Sequence, residues 1–236
     1  MVRPSFVTLV IVACFVTGTG TAVAQKPVKI FRRSDFTAAD SLRLLRQYGD
    51  NKQLPKTFEL QALIALSYFP ELTNTRIQFI VKPAYSLLQT RPAGRGIFNR
   101  HTRRFFMTIS DSTYWKLAPI QLAAMDFNAQ VGVIGHELSH VSDFISRNFI
   151  SLAMSGVKHL SSKYIDRFEY QTDSICIAHG LGYQLLAWSK FVRTNLNSGN
   201  YDGSDNIDKP MLHERYMNPA TIIAHMQRMA VYKDVR

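Results

Sequence analysis

The sequence predicts an α+β fold: one domain, mostly helical, with a small antiparallel or mixed sheet. Three observations carry this expectation. Arg76–Lys82 (RIQFIVK) alternates polar and apolar residues, the period of a strand with one buried face. Arg104–Ser110 (RFFMTIS) reads as a second strand, although its apolar run breaks strict alternation. From Asp126 almost to the end, apolar residues recur at helical spacing, so strands precede a block of helices. The 236 residues are 46% hydrophobic and 19% charged, enough for one buried core and too apolar for wholesale disorder. Lys and Arg number 28 against 17 Asp and Glu, and the formal charge of +11 favours anionic partners.

At the start, Arg3 precedes an apolar run at residues 6–16, and small residues follow, ending in Ala22-Val23-Ala24. Charged, apolar, then small is the order of a secretory signal peptide, so residues 1–24 are expected to be removed. The run is shorter than the roughly 20 apolar residues that a membrane span needs. A minor alternative is a lipoprotein, because Ile11-Val12-Ala13-Cys14 resembles a lipobox with Cys14 as the lipidated residue. Processing after Ala24 would leave residues 25–236 as a single exported domain, periplasmic or secreted, with its core from about residue 54. That mature chain has no transmembrane helix, and Cys176 is its one cysteine. A lone thiol forms no internal disulfide, so Cys176 reads as a small buried hydrophobe.

The elements follow in order. Residues 25–36 are polar and basic, and a loose lead-in is expected there. Thr37 with Asp40 three residues later marks a helix start, and Gly49 marks its stop. A second helix fits residues 56–68, with Leu60, Leu63 and Ile64 near helical period and Pro70 beyond its end. Residues 90–103, with Pro92, Gly94, Gly96 and four arginines, read as an irregular connection between the strands. In the helical half, Gly180-Leu181-Gly182 is an interruption and residues 195–208 a polar loop. Asn218-Pro219 supplies an N-cap and first-turn pair for the last helix.

The chemistry concentrates in VGVIGHELSHVSD at residues 131–143, which contains His136-Glu137-Leu138-Ser139-His140. On a helix, residues i and i+4 share a face, so both imidazoles reach one metal ion. Glu137 lies beside them, where it can take a proton from an attacking water. Gly132 and Gly135 each disfavour an ordinary helix by up to about 1 kcal/mol, and close approach of another backbone is one reason to keep them. A catalytic zinc site requires a third protein ligand. Asp143 stands roughly 10 Å along the axis from His136 and suits an outer role at most. His159 reads as a surface histidine. Glu169 lies in a helical segment with Asp173 one turn on, so the first can complete the ligand set while the second orients a histidine.

HELSH at 136–140 together with EYQTDSICIAHGLGY at 169–183 resembles the gluzincin zinc metallopeptidases, most closely the soluble exported relatives of the HtpX and CaaX-prenyl-endopeptidase family. The resemblance covers about residues 100–195. It implies a zincin-type domain with an HExxH active-site helix and one Zn2+ per chain. The implied ligands are His136, His140 and Glu169, with Glu137 as general base and Asp173 as the outer carboxylate. It also implies that Arg104–Ser110 gives a sheet edge that aligns an extended substrate. Thr172 stands where the family usually has alanine. The longer metzincin pattern would require glycine at 143 and histidine at 146, where this chain has Asp143 and Ser146.

The expected activity is hydrolysis of peptide bonds in a polypeptide substrate by a Glu-assisted water. His213, Arg215 and Tyr216 are the candidate donors to the oxyanion of the tetrahedral intermediate. The alternative is a non-catalytic zinc-binding or envelope-binding protein on the same fold. Arg91, Arg95, Arg100, His101, Arg103 and Arg104 form the densest positive cluster, which could meet an anionic envelope surface. No nucleic-acid-binding motif is present, so nucleic acid is not expected as a partner. Asp202, Asp205 and Asp208 lack calcium-loop spacing and read as a flexible loop.

Overall fold

Local sequence sets the first helix. The Thr37 hydroxyl accepts a hydrogen bond from the Asp40 N–H at 3.2 Å, and the Asp40 carboxylate accepts from the Thr37 N–H at 3.0 Å. This reciprocal cap opens α1 (Ala38–Tyr48), which Gly49 ends. A 3-10 turn at Lys56–Phe58 leads into α2 (Glu59–Ser67), which is buried nearly all round. The computed structural model describes residues 25–94, 102–112, 117–148, 161–196, 215–233 and 235. Its class is α+β, with one small mixed sheet. The expected signal peptide, Cys14 and His159 lie outside the described residues, as does the expected loop at 195–208 apart from Asn195 and Leu196, which end a helix instead.

The sheet has β1 (Lys52–Gln53), β2 (Arg76–Lys82), β3 (Leu88–Pro92) and β4 (Arg104–Ser110) in the order β1-β2-β4-β3. The first two pairings are parallel, and β3 runs antiparallel to β4. Ile77 and Phe79 of β2, with Phe105, Met107 and Ile109 of β4, point into the core. Two expectations are corrected here. Residues 90–92 belong to a strand rather than to an irregular connection, because the paired backbone outweighs the turn signals of Pro92 and Gly94. Arg104–Ser110 is flanked by strands on both sides, so it offers no edge, and β3 takes that position. Its broken alternation reflects burial of both faces toward the end of the strand, where Met107, Thr108, Ile109 and Ser110 are all buried.

The lead-in is likewise not loose. Pro27 and Phe31 are buried, and the Phe31 ring packs against Tyr68 with centroids 6.2 Å apart. The Phe31 N–H donates to Asn128 Oδ1 at 2.9 Å. Two apolar anchors were enough to bind a polar segment, and the core therefore starts well before residue 54.

Asp126 caps α3 (Phe127–Ser146) by accepting from the Ala129 N–H at 2.9 Å. This helix is packed by α2, by β3, by α4 (Ser162–Cys176) and by α5 (Gly182–Leu196). A Cβ at position 132 would collide with the Gln184 carbonyl, and one at 135 would sit 2.6 Å from Leu181 Cδ1. Close approach of another backbone is thus the reason for Gly132. The buried Arg103 donates from Nη1 to the carbonyls of Phe144 and Arg147 at the end of α3. It is a helix cap, not a member of a surface patch, which corrects that part of the arginine cluster. Arg91 and Arg104 are exposed, while Arg95, Arg100 and His101 lie outside the described residues.

Between α4 and α5 the chain makes a π-turn at Ile177–Leu181, where Gly180 adopts φ +96°. A Cβ there would also lie 3.1 Å from the Gln25 carbonyl oxygen and 3.2 Å from the Tyr68 ring. The Tyr232 hydroxyl spans the turn, accepting from the Gly182 N–H at 2.8 Å and donating to the Ile177 carbonyl at 2.7 Å. Beside it, His179 stacks on Phe69 and offers both ring nitrogens to acceptors, the Ile175 carbonyl at 2.8 Å and Glu71 at 3.0 Å. The last helix, α6 (Pro219–Arg228), begins at Asn218 as expected. No described helix is long and apolar enough to cross a membrane. Cys176 is a free, fully buried thiol, and burial raises its pKa.

Two outcomes follow. Gly132→Ala should destabilise the fold by about 1–3 kcal/mol in urea unfolding, because the opposing atom is backbone carbonyl rather than a flexible side chain. The second concerns pH. Burial opposes charge on His179, but Glu71 outweighs it and raises the histidine pKa, while Glu71 is itself held below its ordinary value. The Glu71 contribution is present above about pH 4.5 and lost as pH falls through its folded pKa. The His179 contribution is complete below about pH 6.5 and lost as pH rises through its raised value. Thermal midpoints of wild type and His179→Gln should therefore converge as pH is raised from 6.5 toward 9; a constant gap would contradict the assignment.

Candidate metal centre

Helix α3 presents His136 and His140 one turn apart with their rings edge-on at 4.9 Å. With Glu137 they bring ligand atoms within 4.8 Å of one another, and all three residues are buried. From α4, Glu169 Oε2 reaches His136 Nε2 at 3.1 Å and His140 Nε2 at 3.3 Å. The sequence-based assignment thus comes together in space: two imidazoles from one helix and a carboxylate from the next.

The opposite nitrogens decide what this arrangement is for. His136 Nδ1 donates to Asp173 Oδ1 at 2.8 Å. His140 Nδ1 lies 3.1 Å from Thr172 Oγ1, whose own hydrogen is committed to the Phe168 carbonyl at 2.9 Å. The Thr172 oxygen therefore accepts, and the hydrogen of His140 is on Nδ1. Both imidazoles thus carry a hydrogen on Nδ1 and turn Nε2 toward the same Glu169 oxygen. Facing acceptors repel unless positive charge lies among them, either a proton or a metal ion. Burial opposes protonation of His136, but Asp173 and Glu169 outweigh it and raise its pKa to about 10. Burial would push the Glu169 carboxyl up, yet His136 and His140 hold it well below the usual range.

The residues fit a metal. Tetrahedral ligands at about 2.0–2.2 Å from zinc stand about 3.3–3.6 Å apart, close to the contacts with Glu169. Each histidine also has the outer acceptor that ligating imidazoles use. His136, Glu137 and His140 form a buried group that can hold a metal ion, and Glu169 lies within reach of both imidazoles. Apolar rings wall it in, with Phe168 stacked on His140 at 5.0 Å and Trp188 beside His136 at 5.2 Å. Glu137 is buried, and its Oε2 has no hydrogen-bond partner among the described residues. Its backbone carbonyl accepts from the Thr90 hydroxyl at 3.3 Å, which ties α3 to β3.

The carboxylate of Asp173 serves two donors. Its Oδ2 accepts from the Met217 N–H at 2.7 Å, and the Ser189 hydroxyl donates to the Met217 carbonyl at 3.0 Å. This pins the segment that carries two of the candidate oxyanion donors. Tyr216 packs against His136 and Trp188, each with ring centroids 5.7 Å away. Burial, then the charges of Glu169, Glu137 and Asp173, raise the Tyr216 pKa well above its ordinary value. Arg215 donates from Nε to Asp166 at 2.7 Å. His213 lies outside the described residues. Asp143 pairs with Arg147 rather than turning toward the histidines.

Sequence reasoning missed Thr172 and Ser189. The residues single out Thr172 only as a departure from the family's alanine, although its place next to Asp173 on a helical segment is a usable signal. Ser189 carried none, since its partner is a backbone carbonyl supplied by a distant segment. Compared with known families, curated proteins and solved structures, the chain matches none. The gluzincin resemblance rests on residues 136–140 and 169–183.

Thr172→Val removes the acceptor for His140 while keeping shape. Asp173→Asn leaves one acceptor oxygen where His136 and Met217 require two. Each should weaken affinity for a divalent metal about 10–100-fold in a competitive chelator titration, with the fold retained by circular dichroism. Unchanged affinity in both would remove these residues from the centre.

Proposed function

We propose that this chain is an exported, zinc-dependent metalloendopeptidase of gluzincin type. The observation that carries the proposal is the convergence of two tautomer-locked Nε2 atoms and one Glu169 oxygen beside a buried, unpartnered Glu137 oxygen. His136, His140 and Glu169 would hold the metal. When bound, zinc supplies a Lewis acid that polarises a peptide carbonyl and acidifies water.

The remaining work falls to the chain's own groups. Glu137 takes the proton of the attacking water and delivers it to the leaving amine, a role that suits a buried carboxylate beside a cavity. Asp173 holds His136, and Thr172 holds His140, so neither ring turns during the reaction. Among the three candidate donors, Tyr216 is favoured for the oxyanion, since its ring lies against His136 while Arg215 is engaged by Asp166. Residues 1–24 act as the signal peptide in this reading, and delivery is to the periplasm or the exterior. The exposed Arg91 and Arg104 would assist contact with an anionic envelope surface.

Glu137→Gln provides the test. The variant should retain about one zinc per chain by elemental analysis, yet lose peptide hydrolysis by about 10²–10⁴-fold. Undiminished hydrolysis would refute the assignment of the base. A folded chain that takes up no divalent metal would refute the centre itself.

A further inference from the structure

The inner face of the sheet meets the core. Phe105 of β4 stacks on Phe144 of α3 with ring centroids 6.3 Å apart, so this face looks toward the helix that carries His136 and His140. Alternate residues point the other way. Toward the end of β4 the outer-facing Thr108 and Ser110 are buried, so the outer face is open only near the start of the strand. There the register sets Gln53, Gln78, Phe106 and Arg91 in one row across all four strands. Arg76 and Arg104 stand side by side in the next row.

This surface is built for an anion. Arg76 and Arg104 are both exposed on directly paired positions, about 4.8 Å apart along the backbone, where like charges repel. Neither has an ion-pair partner among the described residues. Arg91 adds a third charge, its guanidinium carbon 5.8 Å from the centre of the Phe106 ring. Arg76, Arg104, Gln53, Gln78 and Phe106 border a concavity of about 970 Å3, and no described acidic residue lines it. Glu71, which shares a neighbouring pocket with Arg76, is already engaged by Ser142 and His179.

The neutral residues choose among anions. Glutamine amides both donate and accept, which suits sugar hydroxyls, and an aromatic face suits the C–H side of a sugar ring. Single-stranded nucleic acid is met by successive aromatic platforms, whereas one exposed ring stands here. A bilayer is flat and favours protruding apolar side chains, but these arginines border a hollow, and the exposed Val81 and Tyr85 are not among its walls.

We infer that the open part of the outer sheet face binds an acidic polysaccharide, with the three arginines on its carboxylates and Phe106 and the glutamines on its sugar rings. This inference rests on the exported reading of the chain and gives its anionic envelope contact a chemical partner. The metal centre lies on the other side of the sheet and takes no part in it.

The exported chain is titrated calorimetrically with a polygalacturonate decasaccharide. Affinity should fall about tenfold or more from about 50 to about 300 mM NaCl, and the neutral maltodecaose should bind about tenfold more weakly or worse. Arg76→Gln with Arg104→Gln should weaken binding about 10–100-fold. Phe106→Leu should weaken it about three- to tenfold while leaving the salt dependence unchanged. Arg43→Gln with Arg46→Gln removes the same charge from exposed positions on α1 and should alter affinity by less than about twofold.

Equal weakening by the two double variants would reduce the effect to net charge and overturn the inference. Binding tighter by about tenfold or more to vesicles with about 30% phosphatidylglycerol would overturn it in favour of a lipid surface, and the same preference for an oligothymidylate in favour of nucleic acid. Chain stripped with EDTA should bind the decasaccharide as well as the zinc-loaded chain, so the result stands apart from any outcome for peptide hydrolysis. Fractionation of the producing cells tests export by itself: a chain retained inside would overturn that reading and this one with it, whereas an exported chain that binds no polyanion would overturn this one alone.

Discussion

Two imidazoles cannot both aim lone pairs at one carboxylate oxygen without positive charge among them, and the rest of this structure is arranged around that constraint. Asp173 and Thr172 hold the outer hydrogens, so the inner nitrogens are left to carry a proton or to bind a metal. Neither support is local to the histidines. Both come from α4, as does Glu169, so a single helix supplies the third donor and the means of orienting the other two. The centre therefore exists only while α3 and α4 stay in register, and a slip by one residue would lose all three contacts together.

That register is supported by packing one turn along α3 from His136. Gly132 lets the start of α5 approach to backbone contact, and Gly135 leaves room for Leu181. The π-turn absorbs the mismatch between α4 and α5, with its loosened backbone groups satisfied by Tyr232. In the other direction Asp173 reaches the Met217 N–H, so the carboxylate that sets a histidine also sets the segment bearing Tyr216. Orientation of the ligand and placement of the neighbouring hydroxyl are consequently one event rather than two.

Much of this was legible in the residues. The i, i+4 spacing of His136 and His140 is a geometric statement that needs no tertiary information, and Glu169 with Asp173 repeats it on a second helix. Strands with one buried face, such as Arg76–Lys82, announced themselves by alternation. What escaped were features whose meaning depends on a remote partner. Strand β3 is made a strand by β4 despite Pro92, Arg103 caps carbonyls at the far end of α3, and Phe31 finds a rigid neighbour in Tyr68. Thr172 is the instructive case: its size suited the position of an alanine, but its function lies in an oxygen whose hydrogen is already committed.

The turn around Gly180 carries a consequence for how the molecule comes together. The Gln25 carbonyl lies against Gly180 and the Tyr232 hydroxyl bridges Ile177 to Gly182, so segments some two hundred positions apart close on the same bend. Contacts of such sequence separation form late, after long loops have closed. During synthesis, α3 and α4 can pair before residue 232 emerges, but the bend that joins α4 to α5 stays without its bridge until then. That bend, which brings the start of α5 against Gly132, is thus among the last parts of the chain to become rigid, and α3 and α4 first meet without it.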